Sequence, residues 1–160
     1  MKYIFVFVMM FFIGTSCIHE NNKIKKENDL FETYPFRIQE VNFPKNVILN
    51  MDIEGELIFD ITLDSIYESN LIERHTYLYV TTEVLEKLNA KTIQNVEHEA
   101  YVDRLGIGKF NFKVKFKKNG ETSLFLVIED NLLLKPKDTN TGITVRTFEY
   151  GKELGVLVEE

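Results

Sequence analysis

Residues 108–130 carry the pattern that most constrains the fold of this chain. In GKFNFKVKF, residues 108–116, apolar side chains alternate with polar or basic ones. The apolar members are Phe110, Phe112, Val114 and Phe116. Because successive side chains of a strand point to opposite faces, the alternation predicts a strand with one buried and one solvated face. Asn119-Gly120 then precedes a second apolar run, TSLFLVIED, so this stretch predicts a β-hairpin closed by a type I′ turn.

The second run is apolar on both faces, which predicts a central strand or one whose second face is covered. ELIFDITLD, residues 56–64, repeats the alternation, and RHTYLYVTT, residues 74–82, is rich in residues that favour strands. Weaker strands are predicted at 36–43, 46–50, 143–149 and 154–158. One short helix is predicted near 83–89, where Val84, Leu85 and Leu88 share a helical face.

About eight short strands with turn residues between them, and hardly any helix, predict an all-β fold, an antiparallel sandwich or barrel. The segment DRLGIGKFNF, residues 103–112, resembles the Asp…Gly-x-Tyr corner of immunoglobulin-like domains, with Phe110 in place of the tyrosine. That resemblance implies an immunoglobulin-like β-sandwich. The cysteine pair and tryptophan of antibody domains are absent from the chain, so the resemblance is one of architecture.

The N-terminal residues 1–16 have the order of a signal peptide. Lys2 precedes an unbroken apolar run, residues 3–13, and three small residues follow. As a helix the eleven-residue run covers about 16 Å, too short for a hydrocarbon core about 30 Å thick. The sequence therefore predicts an exported chain rather than a membrane-spanning one.

Cys17 follows this segment directly and is the only cysteine in the chain. The pentapeptide Ile13-Gly14-Thr15-Ser16-Cys17 resembles the lipobox of bacterial lipoproteins, with Gly14 where that family usually has leucine. The resemblance implies that Cys17 becomes the acylated first residue of the mature chain, anchored in the bacterial cell envelope at the outer membrane. An ordinary signal peptidase acting at the same bond is the alternative, and it leaves a free Cys17 on a secreted or periplasmic protein.

Beyond Cys17 the chain divides into two parts. Residues 17–33 are mostly polar and are expected to form a flexible tether, and residues 34–160 have the length of one β-sandwich domain. Loss of Lys2 with the signal peptide leaves 18 of the 19 lysines and arginines against 25 acidic residues, a net charge of −7. We therefore expect no nucleic-acid partner.

The sequence contains no recognisable catalytic or metal-binding motif, so we expect no enzyme activity, metal or cofactor. His98 stands between Glu97 and Glu99, which point away from it in an extended chain. Asp60, Thr62 and Asp64 share one face of a predicted strand, which is expected to be a solvated outer face. Asp138 to Gly142 is expected to be a turn rather than a calcium loop.

The one constellation with binding potential is His75, Tyr77 and Tyr79, which alternate onto one face of a predicted strand. If the opposite aliphatic face is the core, these rings face solvent, where tyrosines can stack on sugars or anchor a protein. The alternative is that the tyrosines pack under a loop or a cross-strand neighbour, because strands are rich in tyrosine. The function expected is that of a non-catalytic binding or accessory lipoprotein with a protein or glycan partner. Alternatives are an inhibitor or immunity lipoprotein, a structural envelope protein, and a small hydrolase that uses surface carboxylates.

Overall fold

A computed structural model describes residues 37–136 and 142–160. The predicted signal peptide and tether, and the turn at 138–141, lie outside the described residues. Eight strands and two four-residue helices follow in the order β1 (Ile38–Asn42), β2 (Asn46–Ile48), β3 (Asp52–Phe59), α1 (Ser65–Glu68), β4 (Leu71–Thr81), α2 (Ala90–Ile93), β5 (Glu99–Val102), β6 (Lys109–Lys115), β7 (Gly120–Leu134) and β8 (Thr144–Glu159).

The strands form two sheets, which confirms the all-β prediction. One sheet has three strands in the order β1-β3-β6, and the other has five in the order β2-β8-β7-β4-β5. Every strand pair is antiparallel except β2 and β8, which run parallel, so the prediction of a purely antiparallel fold is wrong at that pair.

The Asn119-Gly120 turn does not close a hairpin. β6 pairs with β3 in the three-stranded sheet, whereas β7 pairs with β4 and β8 in the five-stranded one. Of the two turn residues only Gly120 has a positive φ, 98°, and a type I′ turn needs two. The chain crosses from one sheet to the other here, and the inward-facing aromatics of β6 share one core with Leu124, Leu126 and Ile128 of β7.

The core lies between the two sheets. Its largest fully buried members come from both: Leu57, Phe112 and Phe116 on one side, and Leu78, Leu124, Leu126 and Ile128 on the other. β7 is central in its sheet, and its second face is also covered, since Phe125 and Val127 are buried. Both observations agree with its two-sided apolar sequence.

The prediction of a helix at 83–89 is wrong. Residues 82–89 are irregular, and the helical turn is α2, which Asn89 begins by accepting a hydrogen bond from the Thr92 amide at 2.8 Å. Asparagine is more favourable at the N-cap of a helix than inside one, so Asn89 favours a helical turn that begins after it. Leu85 and Leu88 are partly buried, and they pack against the outer face of the five-stranded sheet rather than in the core between the sheets.

β3 begins at Asp52, four residues earlier than predicted, and ends at Phe59. The Asp60 carboxylate accepts a hydrogen bond from the Thr62 amide at 2.8 Å, which turns the chain out of the strand. Asp60, Thr62 and Asp64 therefore do not share a strand face, and that prediction is wrong. Asp64 instead immediately precedes α1.

Candidate functional site

The predicted binding residues His75, Tyr77 and Tyr79 all lie on β4, and the alternation along that strand is as expected. Leu78 and Val80 belong to the core between the sheets, and Thr76 is buried beside them. The odd-numbered residues consequently point to the outer face of the five-stranded sheet.

Only part of this outer face is open, because residues 82–93 fold across it. Tyr79 is 9% exposed and packs with Ala90, Ile93 and Val127. Leu88 lies directly over Gly151, where a Cβ atom would come within 2.4 Å of the leucine side chain. Tyr79 therefore packs under the segment 82–93, which is the alternative that the sequence left open for these tyrosines.

Burial also changes the chemistry of the Tyr79 hydroxyl. Desolvation is the main cause that raises the pKa of Tyr79 above its usual value, and the nearby Glu129 carboxylate adds to it. The His98 ring packs edge-on against Tyr79 with 5.7 Å between ring centroids. Tyr79 is thus a neutral part of a small satellite core and not an exposed contact residue.

The open half of the outer face is centred on Tyr77. Its ring stacks on Tyr79 with centroids 6.3 Å apart and an angle of 16° between the planes. Across the sheet Tyr77 stands level with Glu129 and, one strand further, with Glu149. Half-buried Tyr77 therefore presents an apolar ring face beside two carboxylates.

The next row of the same face begins with His75, whose imidazole lies 3.2 Å from the Glu73 carboxylate. It continues with Asn131, which donates to Glu129 at 2.7 Å and accepts from the Thr147 hydroxyl at 2.6 Å. We call the residues of these two rows the open sheet face: His75, Tyr77, Glu129, Asn131, Thr147 and Glu149. This surface offers one aromatic ring, several hydrogen-bonding groups and negative charge, which suits a hydroxylated or positively charged partner.

A second concave surface lies between the neighbouring edges of the two sheets, where β5 and β6 meet. It encloses about 500 Å³. The Tyr101 hydroxyl spans the gap, since it accepts from the Lys113 amide at 2.9 Å and donates to the Lys113 carbonyl at 3.0 Å. Two ion pairs lie along this groove: Lys117 contacts Glu97 at 2.5 Å, and Lys115 contacts Asp52 at 3.1 Å.

His98 borders this groove without forming a catalytic set. Its Nδ1 lies 2.9 Å from the Val96 carbonyl, so this nitrogen is the one that donates. Glu97 is engaged by Lys117, and Glu99 belongs to β5. The three residues do not converge on one point, as predicted for neighbours along an extended chain.

A buried polar cluster that was not predicted from the sequence lies between the sheets. Asp130 is completely buried and receives two hydrogen bonds from Arg74, at 2.8 and 2.7 Å, and one from Thr76 at 3.0 Å. Arg37 is buried nearby and donates to the Thr62 carbonyl. Asp130 has the even-numbered register of Leu124, Leu126 and Ile128, and this register alone places it on the inner face.

Tyr150 completes this cluster. Its hydroxyl oxygen is buried and has no hydrogen-bond partner among the described residues. Desolvation raises the pKa of Tyr150 to about 12, against an opposing effect of the Arg37 charge. Asp60, at the edge of the same region, has its pKa lowered chiefly by hydrogen bonds from Thr62.

Within residues 37–136 and 142–160, no group of three or more histidine, cysteine or acidic side chains is arranged to hold a metal ion. None of the helices in these same ranges is long and apolar enough to cross a membrane.

The fold and its surfaces define a two-sheet β protein. No family model matches the chain, and no curated protein matches it either. Among solved structures, it is similar to a superoxide reductase (neelaredoxin) from Ignicoccus hospitalis. The TM-score is 0.42 and the sequence identity 11%, over 82% of this chain and 93% of that one. A likeness this distant carries no argument about the chemistry of this chain.

Proposed function

We propose that this chain is an exported lipoprotein of the bacterial cell envelope, acylated at Cys17, whose β domain is a non-catalytic binding or accessory module. The observation that carries the proposal is the position of the only cysteine, directly after a charged, apolar and small-residue leader. A lone thiol in an exported chain has no intrachain partner, and acylation gives it a defined role. Several acyl chains on one residue anchor a protein stably, where one chain binds only marginally.

For the domain we propose an immunoglobulin-like topology. The order β1-β3-β6 facing β8-β7-β4-β5 corresponds to strands A-B-E facing G-F-C-C′ of such sandwiches. The parallel pairing of β2 with β8 supports it, because β2 then follows β1 as a strand that switches sheets. An experimental structure in which β6 pairs with β7 would overturn this assignment.

For the binding surface we propose the open sheet face. Its Tyr77 ring is supported from one side by the buried Tyr79, so little conformational freedom is lost on contact. Glu129 and Glu149 follow Tyr77 across β7 and β8, and they supply acceptors for sugar hydroxyls or for a basic protein side chain. A glycan or a protein is therefore the partner class that this surface fits.

Mass spectrometry of the mature N-terminus tests the anchor. The proposal predicts a chain that begins at Cys17 and carries the added mass of acyl groups. A free Cys17 or an intact Met1 would contradict it.

Substitution of Tyr77 tests the binding surface. We expect Tyr77→Ala to weaken binding at least tenfold, because hot-spot tyrosines contribute about 2 kcal/mol or more. Titration with chitohexaose, cellohexaose and maltohexaose covers glycans, and photo-crosslinking from the exposed position 102, which is paired with Tyr77 on β5, covers proteins in cells. Ile48→Ala is the control, because Ile48 is an exposed aliphatic residue that pairs with Glu159, ten residues along β8 from Glu149. Equal binding or crosslinking by the wild type and both variants would rule out the open sheet face.

A further inference from the structure

One end of the domain gathers several loops and strand ends. Leu71 at the start of β4 lies level with Leu134 at the end of β7, which in turn lies level with Thr144 at the start of β8. Phe59, the last residue of β3, donates its amide to the Gly108 carbonyl at 2.7 Å and so brings the loop 103–108 to the same place. We call this region the strand-end surface.

The strand-end surface exposes an unusual number of large aliphatic side chains. Seven of them are between 41% and 80% exposed: Ile61, Ile66, Ile72, Leu105, Ile107, Ile143 and Val145. The other exposed large hydrophobic residues of the described ranges are fewer at any one place: Ile48, Met51 and Leu157 lie where β2 pairs with the end of β8, and the remaining two are Val84 and Val102. Single exposed aliphatic residues are ordinary, whereas a group of them at one end marks a contact surface.

The chain enters the domain at this same end. Ile38 pairs with Phe59, and the Asp60 amide donates to the Arg37 carbonyl at 2.8 Å. Nineteen residues separate Cys17 from Arg37, and if they form the expected flexible tether their end-to-end distance is about 25 Å. An anchor at Cys17 therefore keeps the strand-end surface closer to the bilayer than the opposite end, where Gly120 lies level with Val158.

We infer that the strand-end surface contacts the lipid bilayer and inserts its exposed aliphatic side chains among the headgroups. The inference rests on the proposed anchor at Cys17. The surface carries charges of both signs, Arg104 and Lys135 together with Glu68 and Glu73, so attraction to anionic lipid does not drive the contact. Apolar burial drives it, and weak affinity suffices because the tether holds the surface at high effective concentration.

Single-tryptophan variants test the contact, since the chain contains no tryptophan of its own. The purified acylated protein is reconstituted into vesicles of phosphatidylethanolamine and phosphatidylglycerol that contain doxyl-labelled lipid. Leu105→Trp reports on the strand-end surface. Val84→Trp is the matched control, because the side chains of Leu105 and Val84 are exposed to a similar extent, 80% and 86%. Should mass spectrometry show a free Cys17, the same variants are coupled through that thiol to maleimide lipid, so that failure of the natural anchor does not prevent the measurement.

We expect doxyl lipid to quench Leu105→Trp at least threefold more than Val84→Trp, and this difference to persist in 0.5 M salt. Adding Ile107→Asp to Leu105→Trp should remove most of the quenching. Equal quenching of the two reporters would overturn the inference. So would a blue-shifted Leu105→Trp emission without lipid quenching, because that result means that residues 17–36 or a second copy of the chain covers this surface.

Discussion

At the scale of single residues, Asp130 and Arg74 form the interaction that is most sensitive to change. Asp130 is fully buried, and both of its oxygens accept hydrogen bonds from Arg74. We expect Asp130→Ala to lower the free energy of unfolding by about 3–5 kcal/mol, because it leaves the arginine charge without its partner. The double variant Arg74→Leu, Asp130→Leu should lose much less. Urea unfolding measures both, and a double variant as unstable as the single one would contradict this account.

The raised pKa of Tyr150 leads us to expect a loss of folding stability at alkaline pH. Its pKa is about 12 in the folded protein and about 10 in an unfolded chain, so the folded state holds the proton more tightly. Stability is therefore unaffected by this group below pH 10 and falls between pH 10 and 12. Residual contact with solvent screens the effect, which we expect to be about 1–2 kcal/mol.

Tyr150→Phe isolates this contribution. The Tyr150 hydroxyl has no partner among the described residues, so its removal should leave stability at pH 7 unchanged or slightly higher. Denaturant unfolding at pH 7 and pH 11 should show a smaller alkaline loss in the variant than in the wild type. Equal losses would mean that Tyr150 does not titrate in this window.

At the scale of strands, Gly55 determines how closely β3 packs against the aromatic core. A Cβ atom at this position would stand 2.3 Å from the Phe112 ring and 2.8 Å from Phe43, and these two rings stack with centroids 5.9 Å apart. Gly55→Ala should lower the free energy of unfolding by about 1–3 kcal/mol, because neither ring can move without disturbing the other. Gly155→Ala is the control, since nothing lies within 4 Å of its added carbon. Thermal unfolding that shifts equally in both variants would contradict this explanation.

At the scale of the whole molecule, the proposed anchor predicts where the protein is found in the cell. Cys17→Ser removes the acylation site and should move the chain from the membrane fraction to the soluble one. Asn119→Ser, a change in the turn between β6 and β7, should leave the protein in the membrane fraction. Immunoblots of fractionated cells measure both, and a Cys17→Ser variant that still sediments with membranes would contradict anchoring through this residue.

Strand positions were largely predictable, because period-two alternation depends on which face of each strand is buried. This is why β6, β4 and the centrality of β7 were predicted from their own residues. The partners of each strand were not, and Asn119-Gly120 shows the reason. A turn sequence indicates that the chain reverses, but whether the next strand pairs beside the first or packs across from it depends on the fit of distant faces.

The residues of the proposed binding surface show the same division. Their common face on β4 follows from the alternation of His75, Tyr77 and Tyr79, which is a local property. That Tyr79 is buried while Tyr77 stays half-open was decided by residues 82–93, whose apolar Leu88 fits over Gly151. The sequence by itself determined the all-β class and the faces of the strands, because these follow from local periodicity. Only the tertiary structure decided the strand order, the buried Arg74–Asp130 pair and the extent of the open sheet face, because each depends on residues that are far apart in the chain.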